Sequence, residues 1–226
     1  MCPSRPSGLA SMSQIPSPSP PFNAEFREGL AELFKWRRDV RRFRRDPLDE
    51  DLLDRLIALA RLSPSVGFSQ PWRFVKVRDP ARREAVRQNF QACNQAALGD
   101  YQGERARLYA ELKLAGLTEA PVHLAVFCDE GTETGNGLGR KTMPETLRYS
   151  VVTAVHGLWL AARAWGIGVG WVSILEPEAI KDILRVPETW SLIAYLCIGY
   201  PEEEHSDPEL ERHGWEARRD DDVLIR

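Results

Sequence analysis

Three arginines and an aspartate fall within five residues, Arg37-Arg38-Asp39-Val40-Arg41. Guanidinium groups present planar forks that bond two oxygens at once. Such a cluster suits a phosphate together with a polarised ring carbonyl. It is equally the composition of a solvated basic face or a nucleic-acid patch. A second segment, Ser63-Pro64-Ser65-Val66-Gly67-Phe68-Ser69-Gln70-Pro71-Trp72, sets serine and glutamine donors beside an aromatic. Its prolines and glycine demand an unusual backbone. A third, Gly166-Ile167-Gly168-Val169-Gly170-Trp171-Val172-Ser173, allows the backbone to approach something flat or anionic closely. It lacks the spacing and preceding strand of a dinucleotide fingerprint. A helix cap followed by a strand explains Gly166 but not Gly170.

These segments need a scaffold, and the composition permits one. The 226 residues suffice for one compact domain, with hydrophobic and charged fractions near those of ordinary soluble proteins. The net charge of -3 argues against bulk electrostatic binding of nucleic acid. No apolar run reaches the roughly 18 residues of a membrane span. Cys128 and Cys197 sit in apolar runs, so buried free thiols are expected, as suits a reducing cytoplasm. Neither the cysteines nor the histidines show a zinc spacing, and no metal is expected.

Residues 1–21 are rich in Ser and Pro and read as a flexible tail. From Phe22 to the end a single domain is expected. Phe26, Leu30, Leu33 and Phe34 recur at helical spacing. Asp49 reads as an N-cap for a helix whose apolar face is Leu52, Leu53, Leu56, Ile57 and Ala60, ended by Ser63-Pro64. Phe74 to Val77 and Pro121 to Cys128 read as strands, with helix-prone residues 81–116 between them. A glycine-rich loop at 129–144 follows. Leu147 to Ala164 is a helix apolar nearly all round, which places it in the core or a subunit interface. Gly168 to Ile174 and Leu192 to Ile198 are strands flanking a short helix from Glu176 to Leu184. The charged segment 201–226 ends in Val223-Leu224-Ile225 and is expected to pack on a partner. This order implies an α+β sandwich with one sheet between helices.

The three segments together, in this order, resemble the nitroreductase family. Members typically carry an arginine pair near the start, a Pro-Ser loop ending in Gln-Pro-Trp, and a glycine-rich strand after a long core helix. The resemblance implies an α/β/α sandwich with a mainly antiparallel sheet, built as an intertwined homodimer with FMN at the interface. Two departures point to one branch. Asp39 stands where the family commonly has serine, and Phe68 where it commonly has asparagine. Arg37–Arg41, Ser65–Phe68, Gly170–Ser173, Leu158–Ala164 and Glu209–Trp215 are similar to a branch that destroys its own flavin. In that branch reduced FMN is a substrate. With O₂ it gives the benzimidazole lower ligand of vitamin B12, and erythrose 4-phosphate.

The resemblance implies that Arg37, Arg38, Val40 and Arg41 hold the phosphate and pyrimidine edge. It implies contacts to the flavin from Ser65 and Gly67, and from Leu114 on a lid spanning about 93–116. Asp39 would move protons, and Ser173 would bond the flavin edge or an oxygen. Arginine neighbours should depress the Asp39 pKa and burial should raise it; the sequence leaves that balance open. For Asp39 the plainer reading is an ion pair orienting the arginines, and for Ser173 a strand hydroxyl bonding backbone. Arg140 and Arg218 are further phosphate candidates, with surface roles as the plainer reading. A separate reductase is expected to supply reduced FMN; nucleic acid and membrane are not expected partners. The competing functions are an NAD(P)H-dependent nitroreductase or flavin reductase, and a flavin-binding module without turnover.

Overall fold

The computed structural model describes residues 22–99, 102–103, 108 and 116–219. The Ser/Pro-rich tail, Leu114 and most of the expected lid lie outside the described residues.

Helix α1 (Ala24–Trp36) opens on Asn23, whose side chain accepts from the Phe26 amide. Helix α2 (Glu50–Ala60) starts at the expected Asp49 cap, which accepts from the Asp51 amide, and buries Leu53, Leu56, Ile57 and Ala60. A single turn at Val66–Phe68 leads into β1 (Trp72–Lys76). Helix α3 (Pro80–Leu98) is capped by Asp79 and stops at Gly99. A four-residue helix α4 (Gly116–Glu119) precedes β2 (Val122–Asp129). The long helix α5 (Thr146–Ala164) comes next, then β3 (Gly168–Val172), α6 (Pro177–Leu184), β4 (Trp190–Gly199) and the short α7 (Glu209–Arg212).

The four strands form one sheet in the order β1-β2-β4-β3, and each neighbouring pair is antiparallel. Strand alternation divides the core between two faces. Leu124, Val126 and Cys128 of β2 join Ala194, Leu196 and Ile198 of β4 beneath α2 and α5. Ala125, Phe127, Tyr195 and Cys197 face the other way, onto α3 and α6. This is the expected three-layer α+β sandwich. Continuous apolar runs in β2 and β4 follow from their central position, where both faces are covered. Cys128 and Cys197 are buried free thiols.

Helix α5 ends by the mechanism its sequence announces. Gly166 takes φ +69°, and the Gly166 and Ile167 amides donate back to Arg163 and Ala162. That turn sends the chain directly into β3, the strand against which the arginine segment lies.

One buried polar pair interrupts the α3–α6 face. His123 Nδ1 lies 2.9 Å from the Tyr195 hydroxyl, and both side chains are buried. Burial, and then the nearby Arg83 charge, lower the His123 pKa from its ordinary 6.5 to about 4. Between those values the unfolded chain binds a proton that the folded chain does not. Stability is therefore expected to fall as pH drops from about 6.5 toward about 4. Urea unfolding across that window should show a shallower pH dependence in His123→Gln than in the native chain. Parallel curves would show that His123 is not the group responsible.

Candidate functional site

The arginine segment is an added edge to the sheet. Asp39 forms a parallel bridge with Val169 of β3, and the Val40 amide donates to the Val169 carbonyl at 3.1 Å. Phe43 then bridges Pro201, just beyond β4. Glycine is what makes this possible. A Cβ on Gly170 would stand 2.1 Å from the Val40 carbonyl oxygen, and one on Gly168 would stand 2.9 Å from the Val40 side chain. Sequence reading expected a flat or anionic object against these glycines; what lies there is the chain's own residue 40.

This docking places Asp39. Its Oδ1 accepts from the Trp171 amide at 2.9 Å, and its Oδ2 lies 3.7 Å from Arg41 Nε. Burial raises the Asp39 pKa, against the Trp171 hydrogen bond and the Arg41 charge, which lower it. The balance that the sequence left open thus falls on the side of burial. The side chain still keeps 37% of its surface open. Ser173 follows two residues after Trp171, exposed just past the end of β3.

The three arginines are used differently. The Arg37 guanidinium stacks over the Trp159 ring at 4.8 Å. Arg38 turns back to cap α1, with Nη2 donating to the Lys35 carbonyl at 2.6 Å, while its own carbonyl accepts from Trp159 Nε1. Arg41 lies between two carboxylates, Asp39 and Glu209. All three keep a buried Nε with no hydrogen-bond partner. Buried cationic donors left unpaired are costly, and an anionic group alongside would satisfy them.

The Pro-Ser loop sits elsewhere on the same helix. The Val66 amide donates to Ser150 Oγ at 3.0 Å, and Ser65 Oγ accepts from the Gln70 amide. Ser150 and Trp159 are nine residues apart on α5, a rise of roughly 13 Å. The two segments therefore meet α5 at points well separated along its length. The cleft beside the arginine segment, lined by Asp39, Arg41, Arg42, Glu203 and Glu209 among others, has a volume of about 40 Å³. An organic ligand needs on the order of 300 Å³ or more.

Gly67 has a structural role that sequence reading missed. At φ +56°, a Cβ there would meet the Leu138 carbonyl at 2.8 Å, and one on Gly135 would meet the Gly67 carbonyl at 2.4 Å. The glycine-rich loop is thus clasped against the Pro-Ser loop. Phe68 and Gln70 also take positive φ, and Phe68 is exposed. Arg140 in that loop donates to the Thr132 carbonyl at 2.5 Å and lines a groove with Lys141 and Arg148. Arg218 is exposed, close enough for its charge to bear on Arg38.

The described part of the C-terminal arm packs on its own chain; Val223-Leu224-Ile225, the apolar end for which a partner is expected, lie outside the described residues. Glu209 of α7 reaches Arg41 Nε at 3.6 Å and Arg42 Nη1 at 3.5 Å, and Arg42 also pairs with Glu203. Glu209 opens the Glu209–Trp215 stretch that carries part of the resemblance, but one glutamate in a charged, unpatterned stretch carries no spacing signal for a pairing with Arg41. Among the described residues, no group of His, Cys, Asp and Glu side chains is arranged to hold a metal, and no helix is long and apolar enough to cross a membrane.

The Nitroreductase family model matches residues 34–200. A protein of Rhodospirillum rubrum named 5,6-dimethylbenzimidazole synthase is 59% identical over 207 residues, covering 92% of this chain and 98% of its own. One of the same name from Rhodobacter capsulatus is 48% identical, covering 86% and 94%. An NADH dehydrogenase of Thermus thermophilus is 30% identical, covering 74% and 84%. Among solved structures, iodotyrosine deiodinase bound to FMN and 3-iodo-L-tyrosine superposes with a TM-score of 0.68 at 24% identity, covering 87% and 97%. The chain belongs to the nitroreductase family and, within it, to the group of 5,6-dimethylbenzimidazole synthases.

Proposed function

We propose that this protein converts reduced FMN, with O₂, to 5,6-dimethylbenzimidazole and erythrose 4-phosphate, supplying the lower ligand of cobalamin. The observation that carries this reading is the 59% identity to the Rhodospirillum rubrum synthase over almost the whole of both chains. Asp39, where most of the family has serine, agrees with it.

The residues present fit an FMN phosphate and ring edge. Three buried arginine Nε groups have no hydrogen-bond partner, and the Arg37 fork stacks on Trp159. Reduced flavin supplies both the electrons taken up by O₂ and the carbon skeleton of the product. Arg37, Arg38 and Arg41 bind and orient its anionic end, with Val40 as the backbone strip between them. Ser65 and Gly67 hold the Pro-Ser loop in place against it. Asp39 holds and moves a proton at its carboxyl, fixed in direction by the Trp171 amide. Ser173, exposed two residues further on, donates to the ring edge or to oxygen. Leu114, on a lid of about residues 93–116, excludes water from above.

The assembly we propose is a homodimer in the cytoplasm, fed by a separate flavin reductase. Helix α1 buries none of its residues, yet Phe22, Phe26, Leu30 and Phe34 follow one another at intervals of four. A 13-residue helix with no buried residue is marginal in water by itself. Tyr149 and Val152 of α5 are also exposed. A second copy seated on this face would cover them and bring the distant Pro-Ser loop and arginine segment to shared sites. Phe26→Glu with Leu30→Glu is expected to convert the dimer to monomer in sedimentation velocity and to abolish FMN binding. An unchanged dimer would remove α1 from the interface.

The activity is tested by mixing the protein anaerobically with excess reduced FMN, admitting oxygen and measuring dimethylbenzimidazole by mass spectrometry. Full return of oxidised FMN with hydrogen peroxide would overturn the proposal.

A further inference from the structure

We propose that Glu209 is a positioning residue for Asp39, acting through Arg41, which the two carboxylates share. Arg41 is the nearest countercharge to Asp39, with Nε 3.7 Å from Asp39 Oδ2 and 3.6 Å from Glu209 Oε2. Both separations are too long for a hydrogen bond, and the Arg41 Nε is buried without one. A guanidinium drawn wholly to Asp39 would close that gap. Instead its single Nε–H lies nearly equidistant from the two carboxylates and is committed to neither. Arg41 and Glu209 are each about one-eighth exposed, so water screens their pairing less than it screens the more open Asp39.

The arm is built to hold Glu209 there. Its Oε1 lies 3.5 Å from Arg42 Nη1 and 3.9 Å from His213 Nε2. Arg42 is anchored in turn by Glu203, and the Glu202 amide donates to the Arg42 carbonyl. Residues far from Asp39 in sequence therefore decide how much of the Arg41 charge Asp39 receives.

The other groups around Asp39 leave this role to the pair. On its own segment Arg37 contributes a weaker positive charge, and from β3 comes the neutral Trp171 amide. From β4 comes the Cys197 thiol, which burial and the Asp39 charge keep protonated. From α4, Gly116 and Leu117 are the described residues that line the small cavity beside Asp39. Glu209 raises the proton affinity of Asp39, in opposition to Arg41. A carboxyl kept closer to neutral pH is better matched to moving protons there.

This inference rests on the proton-transfer reading of Asp39, and the test separates the two. Aspartate carboxyl-¹³C labelling of the full chain, with Asp39→Asn to assign the resonance, follows Asp39 titration directly without flavin. Glu209→Gln is expected to lower the Asp39 midpoint by roughly half a pH unit, because Arg41 is released to it. Glu209→Asp is expected to restore part of the shift. Arg42→Gln is expected to move the midpoint the other way, since Glu209 then draws on Arg41 alone. General loosening of the arm would move Glu209→Gln and Arg42→Gln alike. The Asp39 limb of the pH–rate profile for dimethylbenzimidazole formation should follow the midpoint. An unmoved midpoint in Glu209→Gln, or equal shifts in Glu209→Gln and Arg42→Gln, overturns the inference, whatever happens to the rate. A midpoint that falls while the rate profile stays in place overturns the proton-transfer reading of Asp39 and leaves the coupling standing.

Discussion

Asp39→Asn is expected to lose ~10²–10⁴ in the rate of dimethylbenzimidazole formation while still binding FMN. The amide keeps the shape of the side chain and can still accept from the Trp171 amide, so the arginine segment stays on β3. What it loses is a group that exchanges a proton. Stability should move the other way. Burial raises the Asp39 pKa, so the folded state holds its proton to higher pH than the unfolded state does. The stability this contributes is fully present below the ordinary carboxylate pKa and is lost as pH rises through the folded value. The variant carries no such loss. Its melting temperature relative to the native chain is expected to be higher at pH 7 than below pH ~4. Stopped-flow product analysis and thermal melts at two pH values check both halves. Native-like turnover by Asp39→Asn would remove Asp39 from the chemistry.

Gly170→Ala should fail differently. The new Cβ would sit 2.1 Å from the Val40 carbonyl oxygen, which is backbone and cannot swing aside. Relief requires residues 39–41 to lift off β3. That breaks the Val40–Val169 hydrogen bond and the Trp171–Asp39 hydrogen bond together. The cost is about 3 kcal/mol, at the upper end for overpacking a tight site. Because Asp39 and Arg41 leave with the segment, FMN affinity should fall along with turnover. Denaturant unfolding and flavin titration together distinguish this from Asp39→Asn, which leaves binding intact. If Gly170→Ala folds and binds like the native chain, the arginine segment does not depend on this close approach.

Sequence alone was sufficient for the parts of this protein that local physics decides. Alternation and period called for the strands and helices of an α+β sandwich. The Asp49 cap and the Gly166 stop appear where their residue types put them. Ends shifted by a residue or two: β1 begins at Trp72 where Phe74 was expected, and β3 ends at Val172 where Ile174 was expected. Strand ends depend on which neighbours are there to pair. The arginine run, the Pro-Ser loop and the glycine-rich strand were each visible as unusual, and their order was enough to indicate the family.

Tertiary structure alone decided what these residues touch. Gly170 and Gly67 had been matched to a ligand, yet the atoms their missing Cβ makes room for are Val40 and the loop at Gly135–Leu138. A glycine signals that something approaches, and the sequence carries no record of what. The rise in the Asp39 pKa could not be read from a neighbourhood of arginines, because burial is a property of the folded chain. Glu209, though part of a stretch that carries the resemblance, gave no sign of its partner for the same reason. It lies 168 residues from Arg41 along the chain, and their charges meet only because β4 returns the arm to the edge where the arginine segment is docked. Composition and spacing encode propensities over short distances. Which charges share a guanidinium is set by long-range packing, and only the fold contains it.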